Sequence, residues 1–130
     1  MKVAWLRLLL IVALGGLILA ACGSDESYSA QTNSYSVRLT LDQRRIGETR
    51  ATVDIRTRDG QPANIQTVQI IPMMTQHGMV SPEAQTTLEA DGRYHTHQIF
   101  FSMDGDWQLD VAIDDGVKRE TATFHITVLP

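Results

Sequence analysis

The sequence predicts an all-β fold, an immunoglobulin-like β-sandwich of about seven strands, standing behind a short apolar N-terminal segment. Three observations predict it. Apolar and polar residues alternate with period two along most of the chain beyond residue 34, the mark of strands buried on one face. Asp-Gly turn signals recur at Asp59-Gly60, Asp91-Gly92, Asp104-Gly105 and Asp115-Gly116, as hairpin connections require. No stretch carries the helical period.

Tyr35, Val37, Leu39 and Leu41 alternate with Ser36, Arg38 and Thr40 and make the first strand. Beyond a turn containing Gly47, Ala51, Val53 and Ile55 alternate with Thr52, Asp54 and Arg56. Residues 64–72 give a third strand. Its apolar positions, Ile65, Val68, Ile70 and Ile71, keep no single phase, which predicts a bulge or burial on both faces. Pro72 is expected to end it. After a loop over 73–83 come a weak strand over 85–90 and a strong one from Tyr94 to Met103. Trp107, Leu109, Val111 and Ile113 then alternate with Gln108, Asp110 and Ala112, and Trp107 is the expected core anchor. Ala122, Phe124, Ile126 and Val128 form the last strand, with Thr121, Thr123, His125 and Thr127 on its other face.

The start of the chain is built differently. Lys2 and Arg7 precede an almost wholly apolar run from Leu8 to Ala21. That is the charged n-region and short h-region of a secretory signal peptide, residues 1–21. The run is shorter than the roughly 20 residues a spanning helix needs. It ends in Leu19-Ala20-Ala21-Cys22, and all four positions resemble the bacterial lipobox. The resemblance implies cleavage before Cys22 and lipid modification of that residue. Residues 22–34, small and polar at first and rich in Ser, Thr, Asn and Gln over 27–34, read as a lipidated tether. The domain then occupies residues 35–130. The expected location is extracytoplasmic, lipid-anchored to a bacterial membrane at the cell surface or the periplasmic face.

Cys22 is the only cysteine, so the exported domain has no disulfide and its own core must hold it together. Without Lys2 and Arg7 the chain carries nine basic and fifteen acidic residues. It therefore lacks the basic footprint of a nucleic-acid binder. The 109 residues after the signal peptide support one core and exclude a multi-domain enzyme. There is no G-x-S-x-G elbow, no free thiol, no phosphate loop and no serine beside a histidine. An enzyme is not expected.

The residues that carry chemistry are methionine and histidine. Met73, Met74, Met79 and Met103, with His77, His95 and His97, all lie within residues 73–103. Thioether sulfur suits Cu(I), imidazole suits copper as well, and neither can form a disulfide outside the cell. Zinc sites ordinarily use cysteine, histidine or carboxylate, so this set favours copper. His95 and His97 are two residues apart on a strand and point to one face. A loop carrying His77 and Met79 would close over that strand end. The histidines, however, share phase with Ile99, Phe101 and Met103, so they lie either at the rim of the buried face or beside a bulge near Gln98. Methionine is also a common core filler. Met103, just before a turn, is expected in the core, Met73 and Met74 alternatively cap the sandwich, and His125 is expected at the surface.

The stretch from Met73 to Val111 resembles the YtkA-like domain, which is similar to the FixH family. The resemblance rests on the loop Met73-Met74-Thr75-Gln76-His77-Gly78-Met79, the strand start Gly92-Arg93-Tyr94, and the run Phe101-Ser102-Met103-Asp104-Gly105-Asp106-Trp107. It departs from the family pattern at Pro72, which precedes Met73, and in its extra His95 and His97. The resemblance implies an exported immunoglobulin-like sandwich and copper handling by Met73, Met74, His77 and Met79, with a copper oxidase or other envelope protein as the copper acceptor. The alternative reading is a metal-free protein-interaction module of the cell envelope, which the uneven charge along the chain fits equally.

Overall fold

Residues 25–130 are described by the structure, a computed structural model, with His97 described in its backbone only. The expected signal peptide, the lipobox-like run and Cys22 lie outside the described residues. No helix among the described residues is long and apolar enough to cross a membrane.

Seven strands are long: β1 (Glu26–Gln31), β2 (Tyr35–Leu41), β3 (Gly47–Thr57), β4 (Thr67–Met74), β8 (Tyr94–Phe101), β9 (Gly105–Asp114) and β10 (Arg119–Val128). Three have two residues each: β5 (Met79–Val80), β6 (Ala84–Gln85) and β7 (Thr87–Leu88). They form two antiparallel sheets, β1-β2-β3-β8-β7 and β10-β9-β4-β5, with β6 also on β4. The sheets face each other over one core. Leu39, Leu41 and Val53 of the first sheet meet Ile70, Trp107, Leu109, Val111 and Ile113 of the second, all fully buried. The polar residues of the same strands face outward, so the alternation in the sequence is the cause of the two layers.

Strand registers define two ends. Glu26 pairs with Leu41, Gly47 with Phe101, Met73 with Gln108, and Val128 with Gly105. These residues mark the first end, where Ile46 N–H donates to the Leu129 carbonyl at 3.1 Å and ties the sheets. The second end holds the β1–β2 turn and the β9–β10 turn. There Ser34 N–H and Oγ donate to the Glu120 carboxylate at 3.0 and 2.7 Å, and Tyr35 Oη donates to Asp115 Oδ2 at 2.7 Å.

Three expectations are corrected. Residues 26–31 are not part of a tether: they form edge strand β1, pinned by the Glu26–Arg44 ion pair and by Tyr28 Oη donating to Glu26 at 2.8 Å. The Arg44 guanidinium holds the Glu26 carboxyl below its ordinary range, and burial with the Glu26 bond pushes Tyr28 up to about 12. Pro72 does not end its strand. Its carbonyl accepts from Ser81 N–H at 2.9 Å, so its ring nitrogen faces the same side, at the gap between β5 and β6 where no ladder donor is needed. The weak strand over 85–90 is instead a crossing: β6 belongs to the second sheet and β7 to the first. Thr86 between them donates its hydroxyl to the Val68 carbonyl at 2.8 Å.

Candidate functional site

β4 brings Met73 and Met74 to the first end on opposite faces, as neighbours on a strand must lie. Met74 pairs with Met79, and Met73 pairs with Val80 and Gln108. Met74 and Met79 thus share the inner face, and Met73 lies on the outer one. Met74 is 2% exposed. Its Cε lies 3.2 Å from where a Cβ on Gly105 would stand, so the thioether is packed beneath the start of β9. Met79 is half-buried against the same core.

Between the two methionines the chain reverses through a 3-10 turn, Thr75–His77. Gly78 closes it in the left-handed region, φ 63, with its N–H on the Thr75 carbonyl at 3.3 Å. A side chain at that φ is strained, which is the physical role of this glycine. His77 stands exposed at the tip.

Met103 is not in the core. β8 ends at Phe101, so Met103 falls in the turn rather than on the buried face and is 38% exposed. Trp107 Nε1 donates to the Met103 carbonyl at 3.1 Å, and the Trp107 ring meets Phe101 edge-on at 5.3 Å between centroids. The backbone of the turn is held by a buried aromatic pair while its thioether stays outside. The 3-10 turn adjoins β9, so His77, Met79 and Met103 share one end of the sandwich. The signal for Met103 was the Phe101-to-Trp107 run, in which the turn residue is framed by two core aromatics.

His95 does not join them. Thr49 pairs with Ile99 but Ala51 pairs with Thr96, so β8 carries one extra residue in a bulge at positions 97–98. The bulge lets Tyr94 and Thr96 share the inner face with Ile99 and Phe101, and it turns His95 outward. His95 pairs with Thr52 and Thr87. It sits toward the second end, six residues from Phe101, or about 20 Å along a strand. Its ring is engaged there: Nε2 faces Asp91 Oδ2 at 2.9 Å and Glu89 Oε2 at 3.9 Å, and Nδ1 faces Thr52 Oγ1 at 3.3 Å. The Arg93 N–H, then His95, hold the Asp91 carboxyl below its ordinary range. The expectation that His95 closes a site with His77 and Met79 is therefore corrected. The backbone of His97 lies in the bulge; its side chain is outside the description.

Among the described residues no three of His, Asp and Glu are placed to hold one ion. The soft donors at the first end are His77, Met79 and Met103, with Met73 and Met74 on opposite faces of β4 beside them. Concavities lie elsewhere: two of about 350 and 230 Å³ around Arg38 and Asp54 of the first sheet, and one of about 260 Å³ between Arg56, Leu88 and Asp91.

The sandwich is similar to solved structures. FetP of uropathogenic Escherichia coli, expressed in the periplasm, superposes with a TM-score of 0.57 at 12% identity, covering 80% of this chain and 97% of that one. A DUF4426 family protein from Pseudomonas aeruginosa does so with 0.58 at 15% identity, covering 79% and 97%. A copper-bound variant of the same FetP gives 0.57 at 11%, covering 80% and 98%. At such identities the likeness is one of fold. No curated protein matches the chain. A family model described as YtkA-like matches residues 29–112, which span the Met-His loop and the Phe101-to-Trp107 run, and the chain belongs to the YtkA-like family.

Proposed function

We propose that this protein is an exported, lipid-anchored copper-binding domain that passes Cu(I) to an acceptor protein of the cell envelope. The observation that carries the reading is the concentration of soft ligands at one end: Met79, His77 and Met103 around a 3-10 turn and a β-turn. A copper-bound structure of FetP, a protein of similar fold, supports the same reading. Two or three thioether and imidazole donors satisfy Cu(I), which tolerates low coordination and favours soft ligands. Met79 is half-buried and His77 exposed, so an ion held between them stays reachable by an acceptor. Met74 is already packed in the core and would ligate only by leaving it. Met73, on the outer face, is a secondary donor. His95 is a surface residue in this reading, and the protein binds without catalysing a reaction.

The test is a Cu(I) titration in competition with a chromophoric chelator under reducing conditions. The parent, His77→Ala/Met79→Ala and His95→Ala are compared. The parent is expected to take up copper stoichiometrically, the double variant to weaken, and His95→Ala to match the parent. No competition by the parent would move the protein to the metal-free interaction reading.

A further inference from the structure

The first end of the sandwich gathers exposed apolar side chains. Among the described residues seven large hydrophobics are exposed: Ile46, Val80, Leu88, Phe100, Met103, Val117 and Leu129. Five of them, Ile46, Val80, Phe100, Met103 and Leu129, lie at this end or within two residues of it. Ile46 and Leu129 are joined through their backbones, Met103 caps the β8–β9 turn, and Phe100 and Val80 flank the tip. Val117, the most exposed at 95%, is on the opposite end.

The chain also enters at the first end. Glu26 begins β1 there and is pinned by Arg44 and Tyr28. Only residues 23–25 separate it from Cys22. Four Cα steps span at most about 14 Å when fully extended. An acyl chain on Cys22 would therefore hold this end, and not the other, against the bilayer.

We infer that the end bearing Ile46, Phe100, Met103 and Leu129 rests on the lipid surface, so that the Met-His loop faces the membrane rather than the aqueous space. The inference rests on the lipid-anchor reading and adds an orientation to it. The occupant is lipid rather than protein because the short entry segment forces this end to the anchor. The attraction is apolar, not coulombic. Asp42, Asp104 and Asp106 share the end with Arg44 and Arg45, so the contact is expected to be insensitive to salt and to need no anionic lipid. A copper acceptor for this site would then be a protein set in the same membrane.

The test uses the full processed chain reconstituted into phosphatidylcholine vesicles containing headgroup-level spin-labelled lipid. Acylation blocks Cys22, so a new cysteine is the only thiol available to an environment-sensitive dye. Three variants are compared, Met103→Cys, Leu129→Cys and Val117→Cys, after circular dichroism has shown each to be folded. Expected is loss of most dye emission at positions 103 and 129, unchanged at high salt, with position 117 unaffected. Co-flotation with the vesicles but no quenching at 103 or 129, or equal quenching at 117, overturns the orientation and leaves the anchor standing. Failure to co-float overturns the anchor and the orientation with it. A dye response that appears only when protein-containing membranes replace pure lipid assigns the face to a protein partner and overturns the lipid contact.

Discussion

Met74 Cε packs against the bare Cα of Gly105, 3.2 Å from the point a Cβ would occupy. The contact joins the strand that launches the Met-His loop to the strand that follows the Met103 turn. Gly105 also holds φ +120. Gly105→Ala is therefore expected to destabilise the fold by about 1–3 kcal/mol. Denaturant melts of Gly105→Ala, Met74→Ala and the double variant check the origin. Met74→Ala alone is expected to cost about 2–5 kcal/mol as a cavity, and the double variant less than the two together, because the added methyl then has space.

The two paired methionines are expected to separate stability from affinity. Met74→Leu conserves core volume, so its Cu(I) affinity is expected to stay at the parent level with a stability loss below about 1.5 kcal/mol. Met79→Leu and Met103→Leu keep the fold but remove a thioether, so each is expected to weaken Cu(I) binding. Equal affinities in all three would remove these side chains from the site.

The second end predicts a pH response. Asp115 is held down from 3.8 to about 2 by the Lys118 N–H first and then the Tyr35 hydroxyl. Glu120 is held down from 4.5 to about 2 by the hydroxyls of Thr32 and Ser34. Both carboxylates bind protons more weakly folded than unfolded. Their stabilisation is complete above about pH 4.5 and is lost as the pH falls toward 2. Tyr35 moves the other way: the Asp115 bond first, then burial, pushes it from 10 up to about 12. Its stabilisation holds below pH 10 and is lost between 10 and 12. Thermal melts across pH are expected to show both limbs, and Tyr35→Phe to shrink the alkaline one to the part that Tyr28 contributes while lowering the Tm at pH 7.

Trp107→Phe removes the indole donor to the Met103 carbonyl and keeps a ring against Phe101. The lost hydrogen bond is worth about 1 kcal/mol. Amide hydrogen exchange is expected to quicken at residues 102–105 while the rest of β9 stays protected.

Much of the fold was legible because burial on one face writes a period of two into a strand. The clean alternations at Tyr35–Leu41 and Trp107–Ile113 became β2 and β9. β1 was hidden because it is an edge strand, covered only in part: Tyr28 and Ala30 are half-buried, and the residues between them are polar. β4 looked phase-ambiguous because Ile71 and Met73 on its outer face are themselves half-covered. The bulge in β8 was one of two readings open in the phase conflict of His95 and His97, and the structure selects it. Its consequence for the site was not legible, since a single inserted residue carries His95 to the outer face. The placement of Met103 at the same end as the Met-His loop depends on pairing between β4 and β9, which local spacing does not encode.

The margins of the two sheets bear on how this chain behaves when many copies crowd one surface. Unpaired strand edges template association between copies. On one side β5, β6 and β7 are two residues each, interrupted by Pro82 and Thr86. On the other, β1 and β10 are latched across at both ends, by Ser34 to Glu120 and by Arg44 Nη1 donating to the Thr127 carbonyl at 2.9 Å. Short edge strands on one side and end latches on the other thus work against edge-to-edge pairing between copies.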